Sequence, residues 1–116
     1  MRKVIAFISM LSVLVGCNRP QYEVINYYKD SSPLKSTVDV RILMKDSITK
    51  ENLKRILELE LYNEGKKKTE YHDQPTHLFV YIYKSESDYL ENGGDWIAMG
   101  TKIKGVEDMS FKKELE

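Results

Sequence analysis

The sequence predicts an α+β domain. A two-layer fold is expected, in which a mostly antiparallel sheet of four to five strands carries one helix on one face, preceded by an N-terminal signal segment that is cleaved. Three observations lead there. Residues 37–44 and 77–84 alternate from side to side as half-buried strands do. Between them, the segment starting at Ile48 and Thr49 changes to the 3.6-residue period of an amphipathic helix. The remaining segments are short, aromatic or β-branched, and separated by turn residues. Strands joined by turns, with one helix inserted, pack as a sheet beneath that helix.

Residues 22–28 (YEVINYY) are aromatic and β-branched and read as a strand. Lys29, Asp30, Ser31, Ser32 and Pro33 supply turn chemistry. In residues 37–44, Val38, Val40, Ile42 and Met44 share one face, while Asp39 and Arg41 share the other. Thr49 suits the N-cap of the helix, with Ile48 and Leu53 placed for a hydrophobic staple. Leu53, Ile56, Leu57 and Leu61 form its apolar stripe, with Leu59 on the flank. Glu58 and Glu60 fall on or beside the solvent side, and Glu64 reads as helix-end electrostatics with the lysines beyond it. Gly65 is the expected stop, and Lys66, Lys67 and Lys68 follow at the negative end of the helix dipole.

In residues 77–84 (HLFVYIYK), Leu78, Val80 and Ile82 face one way, and Phe79, Tyr81 and Tyr83 the other. That aromatic face either packs against cross-strand neighbours or forms a flat binding surface. Residues 85–90 read as a short helical turn, 92–95 (NGGD) as a turn, and 96–103 as a strand in which Gly100 marks a bulge or a close approach. Gly105 punctuates, and residues 109–115 are expected to form a final edge strand.

The N-terminus is of a different kind. Arg2 and Lys3 precede an apolar run over residues 4–15, broken only by Ser9 and Ser12. A run of about a dozen residues falls short of the ~20 needed to span a bilayer and fits the central region of a secretory signal. It ends in Leu14-Val15-Gly16-Cys17, and Cys17 is the sole cysteine. This segment resembles the signal peptide and lipobox of bacterial lipoproteins. The resemblance implies a diacylglycerol thioether on Cys17, cleavage before it, and acylation of the new amino group. It divides the chain into a signal peptide (residues 1–16), a lipidated cysteine and tether (17–21) and the α+β domain (22–116). Two or more acyl chains hold a protein on a membrane durably where one does not. Asn18 follows the cysteine where an aspartate commonly retains such proteins at the inner membrane. The expected location is therefore the periplasmic side of a Gram-negative outer membrane, or the outer leaflet of the cytoplasmic membrane in other cells. The run VDVRILMKDSITKENLKRI, then THLFVYIYK, then WIAMG also resembles small lipoprotein domains of strand–helix–strand–strand type, a resemblance that carries no catalytic motif.

Charge excludes one class of partner. The 116 residues hold 18 basic and 18 acidic side chains, a net of zero. Loss of Arg2 and Lys3 on cleavage leaves 16 basic against 18 acidic, a net of −2. A nucleic-acid binder shows the opposite balance. A single cysteine permits neither an internal disulfide nor a multi-cysteine zinc site.

Catalytic motifs are scarce. No serine stands in a Gly-x-Ser-x-Gly elbow, and Gly93-Gly94 lacks the lysine–serine pair of a phosphate loop. His72, Asp73 and His77 lie in one stretch and are the only material for a metal-dependent hydrolase or metal carrier, at a spacing typical of neither. No cofactor is expected. The leading expectation is a non-enzymatic binding domain held on the membrane through lipid on Cys17, with an envelope protein as partner. Its candidate surface is Phe79, Tyr81, Tyr83, Tyr89 and Trp96. The alternatives are the metal protein just described and an envelope immunity or inhibitor protein.

Overall fold

The computed structural model describes residues 21–91 and 94–112. The signal segment, Cys17, Asn18, the Asn92-Gly93 part of the expected turn and the last residues of the chain lie outside the described residues. The described chain folds as β1 (Tyr22–Ser31), β2 (Ser36–Met44), α1 (Lys50–Gly65), β3 (His77–Tyr83), α2 (Glu86–Glu91), β4 (Ala98–Ile103) and β5 (Val106–Phe111). The strands form one five-stranded sheet in chain order. Neighbours run antiparallel except β2 and β3, which are parallel because α1 carries the chain back between them. This is the α+β sheet and helix expected from the hydropathy pattern.

Alternation in β2 is complete. Val38, Val40, Ile42 and Met44 are buried under α1, and Asp39 and Arg41 lie on the other face. Thr49 is the N-cap, and its hydroxyl accepts a hydrogen bond from the Asn52 amide at 3.1 Å. Leu53, Ile56, Leu57 and Leu61 are buried against Leu78, Val80, Ile82 and Ala98.

Gly100 marks a close approach. The β4 register runs through it unbroken, from Val80 on one side to Met109 on the other. A Cβ there would lie 3.1 Å from Leu61 Cδ1 and 3.2 Å from Leu57 Cδ2. The missing side chain lets α1 sit directly on the sheet. Between β4 and β5, Lys104 (φ 50°) and Gly105 (φ 86°) both lie in the left-handed region, which makes a two-residue hairpin turn.

Three expectations are corrected. β5 (Val106–Phe111) starts at 106 rather than 109, because the hairpin at Lys104-Gly105 starts it at once, while residues 113–115 of the expected strand lie outside the described residues. β1 continues to Ser31, because its pairing with β2 runs through Lys29 and Asp30. The helix does stop at Gly65, as expected, and the chain leaves through Lys66 in ordinary right-handed geometry (φ −98°). Glu60 is not solvated: it is 9% exposed, and Glu64, paired with Lys67 as expected, is buried beside it at 7%. Each carboxylate is covered by a tyrosine from β1, with Tyr22 Oη donating to Glu60 at 2.5 Å and Tyr27 Oη to Glu64 at 2.8 Å. The helical period placed Glu60 on or beside the solvent side, and it carried no information that β1 would reach over either glutamate.

Two predictions follow from this packing. Gly100→Val overpacks the contact with Leu57 and Leu61 and should cost about 1–3 kcal/mol in urea unfolding. The Tyr27 phenol is pushed up to about 12, by burial first and then by its bond to Glu64. An unfolded tyrosine ionises near pH 10, so this stability is complete below pH 10 and is lost as pH rises towards 12. Tyr27→Phe should flatten that part of the alkaline unfolding profile.

Candidate binding surface

Apart from α2, which folds over one end, nothing covers the sheet face opposite α1 among the described residues. Register aligns its side chains in rows across the strands. Tyr28, Asp39, Phe79, Thr101 and Asp108 form one row, and Asn26, Arg41, Tyr81, Met99 and Ser110 the next. Asp39, Arg41, Phe79, Tyr81 and Met99 are all half-buried, and Trp96 joins them from the segment before β4.

Arg41 is the centre of this face. Its Nε and Nη2 donate to the two Asp39 carboxylate oxygens at 2.7 and 3.2 Å, and Nη1 donates to Tyr83 Oη at 2.5 Å. Its guanidinium carbon lies 4.0 Å from the centre of the Tyr81 ring, a cation–π stack. Partial burial works against the Arg41 charge. The bonds to Asp39 and then Tyr83 outweigh it and hold the guanidinium pKa above its ordinary value. Burial raises the Tyr81 and Tyr83 phenols, against the pull of Arg41.

The aromatic residues singled out in the sequence are brought together, in two roles. Tyr81 and Trp96 lie with ring centres 6.4 Å apart and tilted 55°, and Lys112 Nζ stands 5.4 Å from the Trp96 ring centre. With Phe79 they present partly open rings. Tyr83 is different: it is 0% exposed, closed over by α2, with Tyr89 edge-on at 5.3 Å. It supports Arg41 from below and offers no surface of its own. Tyr89 Oη in turn accepts from Asn26 Nδ2 at 2.9 Å, which ties α2 to β1. Sequence reasoning placed Asp39 and Arg41 on this face without assigning them a part in it. Asn26 and Tyr28 were missed, since only the β1 register brings them alongside. A shallow cleft of about 190 Å³ opens at the end of the sheet, lined by Lys84, Asp88, Asp95, Ile97 and Lys112.

The histidines do not meet. His72 Nδ1 bonds to Ser36 Oγ at 2.5 Å, on the helix side of β2. His77 is the register partner of Thr37, on the opposite face, and its Nδ1 bonds to Thr76 Oγ1 at 2.8 Å. Asp73 is exposed in the loop. Partial burial disfavours the charged His77 ring, and Lys35 and Lys104 add to the effect. Those lysines would repel a metal ion too. Among the described residues no group of three or more His, Cys, Asp or Glu could hold a metal ion.

Ser36 and His72 have the outline of a nucleophile and its base, but Ser36 is 0% exposed and closed off from any substrate. Ser36 Oγ contacts Thr69 Oγ1 at 3.0 Å, Ser31 Oγ at 2.9 Å and His72 Nδ1 within one polar cluster. The cluster fastens the 66–76 loop to the start of β2.

No family model matches the chain, and neither a curated protein nor a solved structure matches it.

Arg41 and Asp39 have side chains 24% and 22% exposed. Removing either leaves the other half-buried without its main partner, so Arg41→Ala should cost about 1–3 kcal/mol of stability. The Asp39→Ala, Arg41→Ala double variant should lose clearly less than the sum of the two singles in a double-mutant cycle.

Proposed function

We propose that this chain is a bacterial lipoprotein held at the membrane through Cys17, whose α+β domain is a non-enzymatic module that binds an envelope protein on its open sheet face. The observation that carries the binding reading is the partly open cluster of Phe79, Tyr81 and Trp96 around the Arg41–Asp39 pair. Tyr, Trp, Phe, Met and Arg are enriched at the centres of protein interfaces, where a few such residues dominate the affinity. The rigidity of the cluster also favours binding. Arg41 is fixed by two side chains and a ring, so little of its freedom remains to be lost when a partner covers it.

The anchor adds a geometric condition. Gln21 lies beside Lys45, at the end of the sheet that also carries Ala98, Tyr83 and α2. The tether from Cys17 would thus leave from the end nearest Trp96 and Tyr89. Fully extended, it reaches roughly 17 Å. A partner for this surface would itself sit close to the membrane.

Two measurements test this reading. Cys17→Ser should leave the precursor uncleaved and unlipidated by mass spectrometry; cleavage at the same site with retained membrane attachment would contradict the anchor. In pull-downs from an envelope extract, Tyr81→Ala and Trp96→Ala should each weaken capture of the partner by about 30-fold or more. Tyr62→Ala, on the far side of α1, should leave it unchanged. A capture pattern that ignores Tyr81 and Trp96 rules out this face.

A further inference from the structure

β1 is an edge strand of 10 residues, and no other strand pairs with its outer side among the described residues. It is long for an edge and exposes Val24 (46%), Tyr27 (43%) and Tyr28 (57%). The other edge, β5, is 6 residues long and carries Glu107 and Asp108 exposed beside each other.

The hydrogen-bond parity of β1 is fixed by its turn. Ser32 and Lys35 exchange both backbone bonds, at 2.8 and 3.3 Å, so they form a bonded pair. The next pair, Ser31 and Ser36, is therefore unbonded. Ser36 agrees: its N–H goes to Thr76 Oγ1 and its carbonyl accepts from the Thr76 amide, both on the β3 side. Alternation then makes Asp30–Thr37, Tyr28–Asp39 and Asn26–Arg41 bonded pairs. The N–H and C=O groups of Tyr27, Lys29 and Ser31 point outward, away from the sheet. The bulge between Val24 and Asn26 breaks this outward series on the N-terminal side.

We infer that this edge pairs with the same edge of a second copy, antiparallel about a twofold axis through Tyr28, joining two sheets into one of ten strands. Only one nearby register suits the side chains. An axis at Lys29 sets lysine against lysine, and an axis between Lys29 and Ser31 through Asp30 sets aspartate against aspartate. An axis at Tyr27 runs Lys29 into the bulge of the partner strand. With the axis at Tyr28, every facing pair lies on a common face. Tyr28 meets its own copy, Asp30 meets Asn26, and Lys29 meets Tyr27, an ammonium against an aromatic ring. Tyr27 and Lys29 of each copy then exchange backbone bonds, which uses the four outward groups of those two residues, while Ser31 falls opposite the bulge of the partner strand. The bulge ends the ladder there, so the pairing is short, and confinement of two copies on one membrane would favour it through effective concentration.

Cysteine cross-linking tests the register. The full-length chain is prepared in detergent with Cys17→Ser, so that an introduced thiol is the only one. Tyr28→Cys places two Cα atoms about 4.5 Å apart in an unbonded antiparallel pair, within disulfide reach. Asp30→Cys leaves its two copies four residues out of step, roughly 13 Å apart. Mild oxidation should give covalent dimers from Tyr28→Cys and none from Asp30→Cys. Lys29→Pro removes one outward N–H per copy while sparing the bonds between β1 and β2, and should cut the Tyr28→Cys dimer yield about tenfold. Absence of a Tyr28→Cys dimer, equal dimer from Asp30→Cys, or a yield unmoved by Lys29→Pro in a folded chain would each overturn the pairing. The Tyr28→Cys and Asp30→Cys comparison stands even where Lys29→Pro fails to fold. It also does not depend on the open-face partner, whose capture responds to Tyr81 and Trp96.

Discussion

One helix cannot cover five strands. A helix with its side chains is about 10–12 Å wide. Five strands at about 4.8 Å spacing are roughly 19 Å across. α1 therefore lies over the middle of the sheet, against β3 and β4, and the outer strands need other means of attachment. The glycine at position 100 sets how deeply the helix sits, since Leu57 and Leu61 occupy the space its side chain would take. A deeper helix buries more of Val80, Leu78 and Ile82, and Tyr22 is the β1 side chain that packs against this apolar core.

The two tyrosine–glutamate bonds answer that shortage. Tyr22 and Tyr27 extend from β1 to Glu60 and Glu64, one helical turn apart on the flank of α1. Their rings cover apolar surface and their hydroxyls donate to carboxylates that are buried on the helix flank. Glu64 is a costly residue at this place, because a carboxylate near a helix C-terminus opposes the dipole. Tyr27 and Lys67 both bond to it, the latter at 2.8 Å, and offset that cost. The polar flank of the helix thus works as a hinge line along which an edge strand is held.

These arrangements were unequally legible in the sequence. β2, α1 and β3 follow from local periodicity, because each buries one face against the same core and the pattern repeats several times within each element. The N-cap at Thr49 is local as well. Glu60 was misplaced, and the burial of Glu64 was not foreseen, because both depend on β1, which is more than 30 residues away in the chain. The division of the aromatic face was hidden for the same reason. Phe79, Tyr81 and Tyr83 are equivalent by alternation, and only α2 folding back over the end of β3 separates the closed ring of Tyr83 from the open ones. The outward parity of β1 depends on a turn bond between Ser32 and Lys35, which hydropathy does not encode.

The single-sided helix also shapes what an assembly of this domain would look like on a membrane. Two copies fixed in the same leaflet are related by an axis along the membrane normal. The twofold that joins two β1 edges is perpendicular to the sheet, so the joined sheet would lie parallel to the membrane. Gln21 of one copy and Gln21 of the other would then sit at opposite ends of the paired strands, roughly 45 Å apart by strand rise, each with its own tether reaching down. Such a sheet has two unlike sides, one lined by helices and the other by the Arg41 clusters. Both Arg41 clusters necessarily face the same way. A partner that recognises one would meet two, and a second contact made within the same assembly adds avidity without any change in the site itself.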